Sequence, residues 1–213
     1  MNGSPTVVVL DYGMGNLRSV EKALERSGAN VLRTSEPEAL SEADGCVLPG
    51  VGAFPRAMER IRALGLDLAI SEAADRQLPI LGICLGLQLL FESSVEQTET
   101  EGLGLLEGTV LPLPADGRKV PHIGWAEVDW VGDSALIDGI PAGEAFYFVH
   151  SYAVSPSKSD ILGTASYGSR FVCAARKGSV AGVQFHPEKS SAAGLRLLGN
   201  FVGLASGGPG GPG

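Results

Sequence analysis

Histidine and cysteine are both scarce in this chain, at three residues each among 213. The cysteines, at positions 46, 84 and 173, show no metal-ligand spacing and no framework of pairs. That pattern fits a reducing compartment and excludes a disulfide scaffold. No apolar run is long enough to span a bilayer. The run 7–10 follows an N-terminus without a basic region and is too short for a signal peptide, so the expectation is a cytoplasmic protein with no membrane contact. Basic residues are outnumbered: 16 Lys and Arg face 24 Asp and Glu, a net charge of −8, which disfavours a nucleic-acid partner. There are no internal repeats. The segment Asp11-Tyr12-Gly13-Met14-Gly15-Asn16 has a G-x-G after a strand, but Arg18 stands where a third glycine belongs. No acidic residue closes a second strand either, so a dinucleotide is not expected, and no cofactor or metal is assigned.

What is present is a soluble-type composition, 44% hydrophobic and 19% charged, and a length suited to one domain. The expectation is a domain over 1–205 and a disordered Gly/Pro tail over 206–213. Residues 6–11 read as a strand, and Asn16 can cap a helix bearing Leu17, Val20 and Leu24, with Gly28 as its stop. Residues 30–33 and 45–48 read as further strands. A capping-box spacing at 35–38 precedes a brief helix, and a long helical stretch runs over about 53–76. Residues 78–84 are apolar without alternation, which suits a strand buried on both faces, and 85–92 read as the start of a helix. From about 107 to 186 the pattern turns to short β runs. A last helix, about 191–203, carries Leu195, Leu198 and Phe201 on one face. The fold class is α/β: a doubly wound, mostly parallel sheet flanked by helices, with antiparallel strands added in the C-terminal half.

Cys84 falls at the strand-to-helix junction, between Gly82 and Gly86, in a G-x-C-x-G pattern. This is the thiol form of a nucleophile elbow, a turn too sharp for side chains at the flanking positions. A buried structural cysteine is the plain alternative. A hundred residues later, Gln184-Phe185-His186-Pro187-Glu188 follows another strand-like run. His186 has the chemistry of a base, and Glu188 can reach the imidazole from the side away from the thiol. Such a Cys–His–Glu set points to covalent acyl chemistry on an amide or ester. The backbone N–H of Leu85 would face the developing oxyanion. A second N–H would come from residues 49–52, at Val51 or Gly52.

The elbow and the His-Pro-Glu run together resemble the triad-type (class I) glutamine amidotransferases. Residues 11–16, Pro121-His122-Ile123-Gly124-Trp125, Tyr147-Phe148-Val149-His150-Ser151-Tyr152 and His186-Pro187-Glu188-Lys189-Ser190 narrow the resemblance to the glutaminase-subunit family of imidazole glycerol phosphate synthase, over about 6–203. The resemblance implies glutamine as substrate, held by Gly52 and Gln88 and by the backbone around Ser151 and Tyr152. From spacing alone, Gln88 reads equally well as an exposed helix amide. The resemblance also implies a (β/α)8-barrel cyclase partner that takes up ammonia and makes imidazole glycerol phosphate and aminoimidazole carboxamide ribonucleotide. Asn16, Trp125, Tyr147 and Lys189 are the expected contacts, although Trp125 reads equally as a core residue. His150 by itself reads as a structural strand-end histidine. Three rival readings stand beside this one: a subunit of another class I amidotransferase, a stand-alone cysteine hydrolase, and an inactive scaffold.

Overall fold

The computed structural model describes residues 3–207; the expected tail residues 208–213 lie outside them. In chain order the elements begin with β1 (Thr6–Leu10), α1 (Leu17–Arg26), β2 (Asn30–Thr34), β3 (Gly45–Gly50), α2 (Phe54–Ala63) and α3 (Leu66–Asp75). The elbow strand β4 (Ile80–Cys84) leads into α4 (Leu85–Leu89), then β5 (Phe91–Ser94), β6 (Thr100–Glu101) and β7 (Leu106–Pro112). The last part holds β8 (His122–Trp130), β9 (Glu144–His150), β10 (Tyr152–Pro156), β11 (Ile161–Tyr167), β12 (Ser169–Lys177), β13 (Val180–Val183) and α5 (Ser191–Ala205).

Five neighbouring strands, β2-β1-β3-β4-β13, pair in parallel. The sheet continues through β12, β10 and β7 with antiparallel pairing, so it is mixed as a whole. The alternation of β1 sorts the two cores. Val7 and Val9 pack with Leu24 of α1 and Leu197 and Phe201 of α5 on one face. Val8 and Leu10 pack with Ile61 of α2 and Ile70 of α3 on the other. Strand side chains alternate between faces, so one strand anchors both helix layers, and each large side chain so buried contributes about 1.5–3 kcal/mol. Among the described residues no helix is long and apolar enough to cross a membrane.

Several local expectations are corrected. The stretch 53–76 is two helices, broken at Gly65, whose φ of +69° is left-handed. The helix after the elbow ends at Leu89, and Phe91 already belongs to β5, which pairs with β7. Sheet pairing there overrides a helix-compatible apolar run. Residues Pro37–Glu42 form a 3-10 helix, and the hydroxyl that accepts from Glu36 N at 3.0 Å is Thr34, not Ser35. Asn16 precedes α1 without a side-chain capping bond. On α5 the expected Leu198 and Phe201 are buried, together with Leu197 and Val202, but Leu195 is 39% exposed.

Candidate active site

The parallel pairing of β4 with β13 builds the site. Val183 stands opposite Ile83, so Cys84 and His186 emerge side by side although 100 residues separate Cys84 from its cross-strand neighbour Gln184. Both lie at the C-terminal ends of parallel strands, where ligands bind in open α/β sheets.

Cys84 adopts φ +55° and ψ −109°, a conformation unusual for a residue with a side chain. The elbow glycines explain how the chain tolerates the turn. A Cβ on Gly86 would sit 1.7 Å from the Leu48 carbonyl oxygen, and one on Gly82 would sit 2.7 Å from the Gly86 backbone. The helix therefore packs directly on β3 and β4 backbone, and Cys84 is thrust into a cleft of about 330 Å³. Its Sγ lies 3.7 Å from the Val149 carbonyl, and the Gln184 amide approaches it at 3.8 Å.

His186 precedes a 3-10 turn, Pro187–Lys189, and its ring is held by a residue of that turn. Nδ1 meets Glu188 Oε1 at 2.9 Å, so in the neutral ring Nδ1 carries the proton and Nε2 is left for the thiol. Glu188 Oε2 is buried with no hydrogen-bond partner, so its carboxylate acts on this imidazole alone among the described residues. The backbone is pinned as well. His186 N donates to Tyr147 O at 2.9 Å. Ser190 Oγ donates to His186 O at 2.7 Å and accepts from Tyr147 N at 3.0 Å. Burial pulls the imidazole pKa down, but hydrogen bonds and charge from Cys84 and Glu188 outweigh it and hold His186 at about 9.

Every residue expected to hold substrate or stabilise an oxyanion lines this one cleft: Val51, Gly52, Leu85, Gln88, Ser151 and Tyr152. Gly52 has φ +105°, which a side chain would strain, and Tyr12 braces the same segment by donating from its hydroxyl to Pro49 O at 2.7 Å. That gives the 11–16 loop a structural task. Gln88 is 5% exposed, not a solvated helix amide. Its Nε2 donates to Tyr152 O at 3.2 Å and to Gln184 Oε1 at 3.0 Å. Both amide protons are spent, and only Oε1 remains for a ligand. Lys189 also lines the cleft, whereas Asn16 and Trp125 lie outside it and are exposed; Trp125 is 53% exposed and so is not a core residue. Tyr147 stands opposite Trp125 on β9, with ring centroids 5.9 Å apart.

Five lining residues were not singled out for this cleft from sequence: Glu96, Pro121, Val149, His150 and Lys189. Glu96 follows β5 and its Oε2 accepts from Phe54 N at 2.9 Å. No local pattern marks it, because its neighbours in the cleft come from other strands. Among the described residues no group of His, Cys, Asp and Glu could hold a metal ion.

A buried thiol paired with a carboxylate-oriented imidazole, beside a cleft that opens at strand ends, is the arrangement of a thiol-dependent acyl-transfer enzyme. Residues 8–203 match the family described as glutamine amidotransferase class-I, and the chain belongs to it. Solved structures agree on the fold. A glutamine amidotransferase crystal structure superposes with a TM-score of 0.74 at 22% identity, covering 94% of this chain and 98% of that one. PurLQS from Thermotoga maritima gives 0.74 at 20% identity, covering 93% and 97%. Sequence relatives narrow the class to the HisH family. Imidazole glycerol phosphate synthase subunit HisH of Moorella thermoacetica is 52% identical, over 92% of this chain and 93% of that protein. The subunit of the same name from Aquifex aeolicus is 50% identical, over 91% and 94%.

Proposed function

We propose that this chain is the glutaminase subunit of an imidazole glycerol phosphate synthase. The observation that carries the reading is the placement of Cys84 at the end of β4 and of His186 just beyond the end of the adjacent parallel strand β13, with Glu188 fixing the imidazole. His186 and Cys84 share one proton. The sulfur forms a bond to the side-chain amide carbon of glutamine. The oxyanion is held by the N–H of Leu85 and by an N–H of Val51 or Gly52. His186 gives its proton to the departing nitrogen as the C–N bond breaks, leaving a glutamyl thioester and ammonia. Water then attacks with His186 as base, the C–S bond breaks, and glutamate leaves.

The amino acid end of glutamine is held by Gly52, Gln88 and the backbone of Ser151 and Tyr152. Because Gln88 has only its carbonyl free, it accepts from the α-ammonium, and the Glu96 carboxylate at the same cleft complements that charge. Ammonia passes to a (β/α)8-barrel cyclase, which makes imidazole glycerol phosphate and aminoimidazole carboxamide ribonucleotide in the cytoplasm. Asn16, Trp125, Tyr147 and Lys189 meet that partner. Trp125 stacked edge-on against Tyr147 and half exposed has the form of an interface anchor. The test is glutamate release from glutamine by this chain, alone and with a barrel cyclase carrying its nucleotide ligand. Strong stimulation by the loaded partner supports the reading; equal turnover without the partner, or none in either mixture, overturns it.

A further inference from the structure

Two further imidazoles, which the reaction does not use, meet at the wall of the same cleft: His150 lines it and His122 lies behind His150. His122 opens β8 and His150 closes β9, and they stand opposite each other in the register. His122 is 3% exposed and His150 6%. His122 lies flat against Tyr167 and Phe148, with centroids at 4.1 and 5.1 Å. Its Nδ1 meets His150 Nε2 at 3.2 Å, and His150 Nδ1 meets Tyr152 O at 2.8 Å.

A carbonyl can only accept, so His150 Nδ1 carries a proton. Burial, helped by the nearby His122 and His186, outweighs the hydrogen bond to the Tyr152 carbonyl and holds the His150 pKa down at about 4, so the ring is neutral near pH 7 and Nε2 has none. His122 Nδ1 must then be the donor between the rings. Burial and the charge of Arg118 lower the His122 pKa as well, so this ring too is neutral, and the bonds run one way: His122 to His150 to the Tyr152 carbonyl. That carbonyl is the one Gln88 also holds. Ser151 and Tyr152 line the cleft beside the elbow helix, and Val149, one residue before His150, lies against the Cys84 sulfur.

We propose that His122 and His150 are positioning residues for glutamine binding: a neutral, one-way hydrogen-bonded pair that aligns the backbone of Ser151 and Tyr152 with Gln88. His122 does not line the cleft, so it acts through His150. The pair also ends the two strands that carry Trp125 and Tyr147, and so ties that exposed face to the substrate wall. The inference rests on the glutaminase reading above.

The test is steady-state glutaminase kinetics of the complex with its cyclase partner, for wild type, His122→Phe and His122→Asn. Phenylalanine keeps the stacked ring and removes the donor; asparagine restores an N–H near the Nδ1 position. The expected result is a KM for glutamine raised about ten-fold in His122→Phe, the scale of one buried hydrogen bond, with kcat within about two-fold. His122→Asn recovers most of the loss. An unchanged KM in folded His122→Phe overturns the inference, as does His122→Asn as impaired as His122→Phe, which marks a packing role alone. Nitrogen-15 NMR of the wild-type chain, which needs no variant to fold, gives a second arm. It is expected to show both rings protonated at Nδ1; a proton on His150 Nε2 overturns the pair. A wild-type complex that turns over no glutamine would instead sink the glutaminase reading and leave the tautomer result standing.

Discussion

Two corners of one cleft hold buried histidines in opposite states. At the His186 corner a thiol and a carboxylate face the ring, and its pKa rises to about 9. At the His150 corner the partners are another imidazole and a carbonyl, and the pKa falls to about 4. Burial pulls both rings toward neutrality. What separates them is whether an anion stands within hydrogen-bond reach. The cleft thus keeps one imidazole ready to carry a proton and another unable to take one, so the first can do acid–base work while the second holds backbone.

Four experiments break or sharpen this contrast. The largest effect belongs to Cys84→Ala. It removes the thiol from the His186 corner, and we expect glutamine turnover to be abolished while circular dichroism stays native; a folded, active variant would end the scheme. Glu188→Gln should follow, lowering kcat by about 10²–10⁴-fold, the range of a disabled general base. The His186 titration midpoint should move down from about 9 toward the His150 value, as read by imidazole carbon-13 shifts; a midpoint that stays put would deny Glu188 its role.

The third experiment is the pH dependence of thermal stability. The unfolded ring titrates near 6.5, and His186 is raised above it, so its contribution is complete below 6.5 and lost as pH rises through about 9. His150 is lowered, so its contribution is complete above 6.5 and lost as pH falls through about 4. Melting temperature should therefore decline on both sides, and Glu188→Gln should flatten the alkaline limb only. A loss of the acid limb in that variant would show that the corners are not independent. The smallest effect on the chain itself is that of Trp125→Ala. With Trp125 53% exposed, its removal should change stability by under about 1 kcal/mol in denaturant unfolding. The same variant should weaken stimulation by the cyclase, measured as glutamate release with and without the partner. Full stimulation would remove Trp125 from the interface.

The two corners also differ in how far they can be read from the chain. Cys84, His186 and Glu188 sit in short patterns whose geometry is local: an elbow between glycines, and a base with its orienter two residues on. The His122–His150 bond has no such local mark, because it exists only where β8 and β9 come into register. Glu96 escaped for the same reason. Leu195 shows the converse failure: its spacing suits the face that buries Leu198 and Phe201, but α5 buries Leu197 and Val202 beside them and leaves Leu195 exposed.

By itself the sequence determined the reaction class, the strand–helix alternation and the junction at Cys84, because each follows from bonding and side-chain period within a few residues. Only the tertiary structure decided which imidazole is charged and which amide protons are spent. It also decided whether Trp125 faces solvent. Those depend on burial and on partners brought from distant strands, above all by the parallel pairing of β4 with β13, and no local pattern encodes the dielectric or the neighbours that a fold supplies.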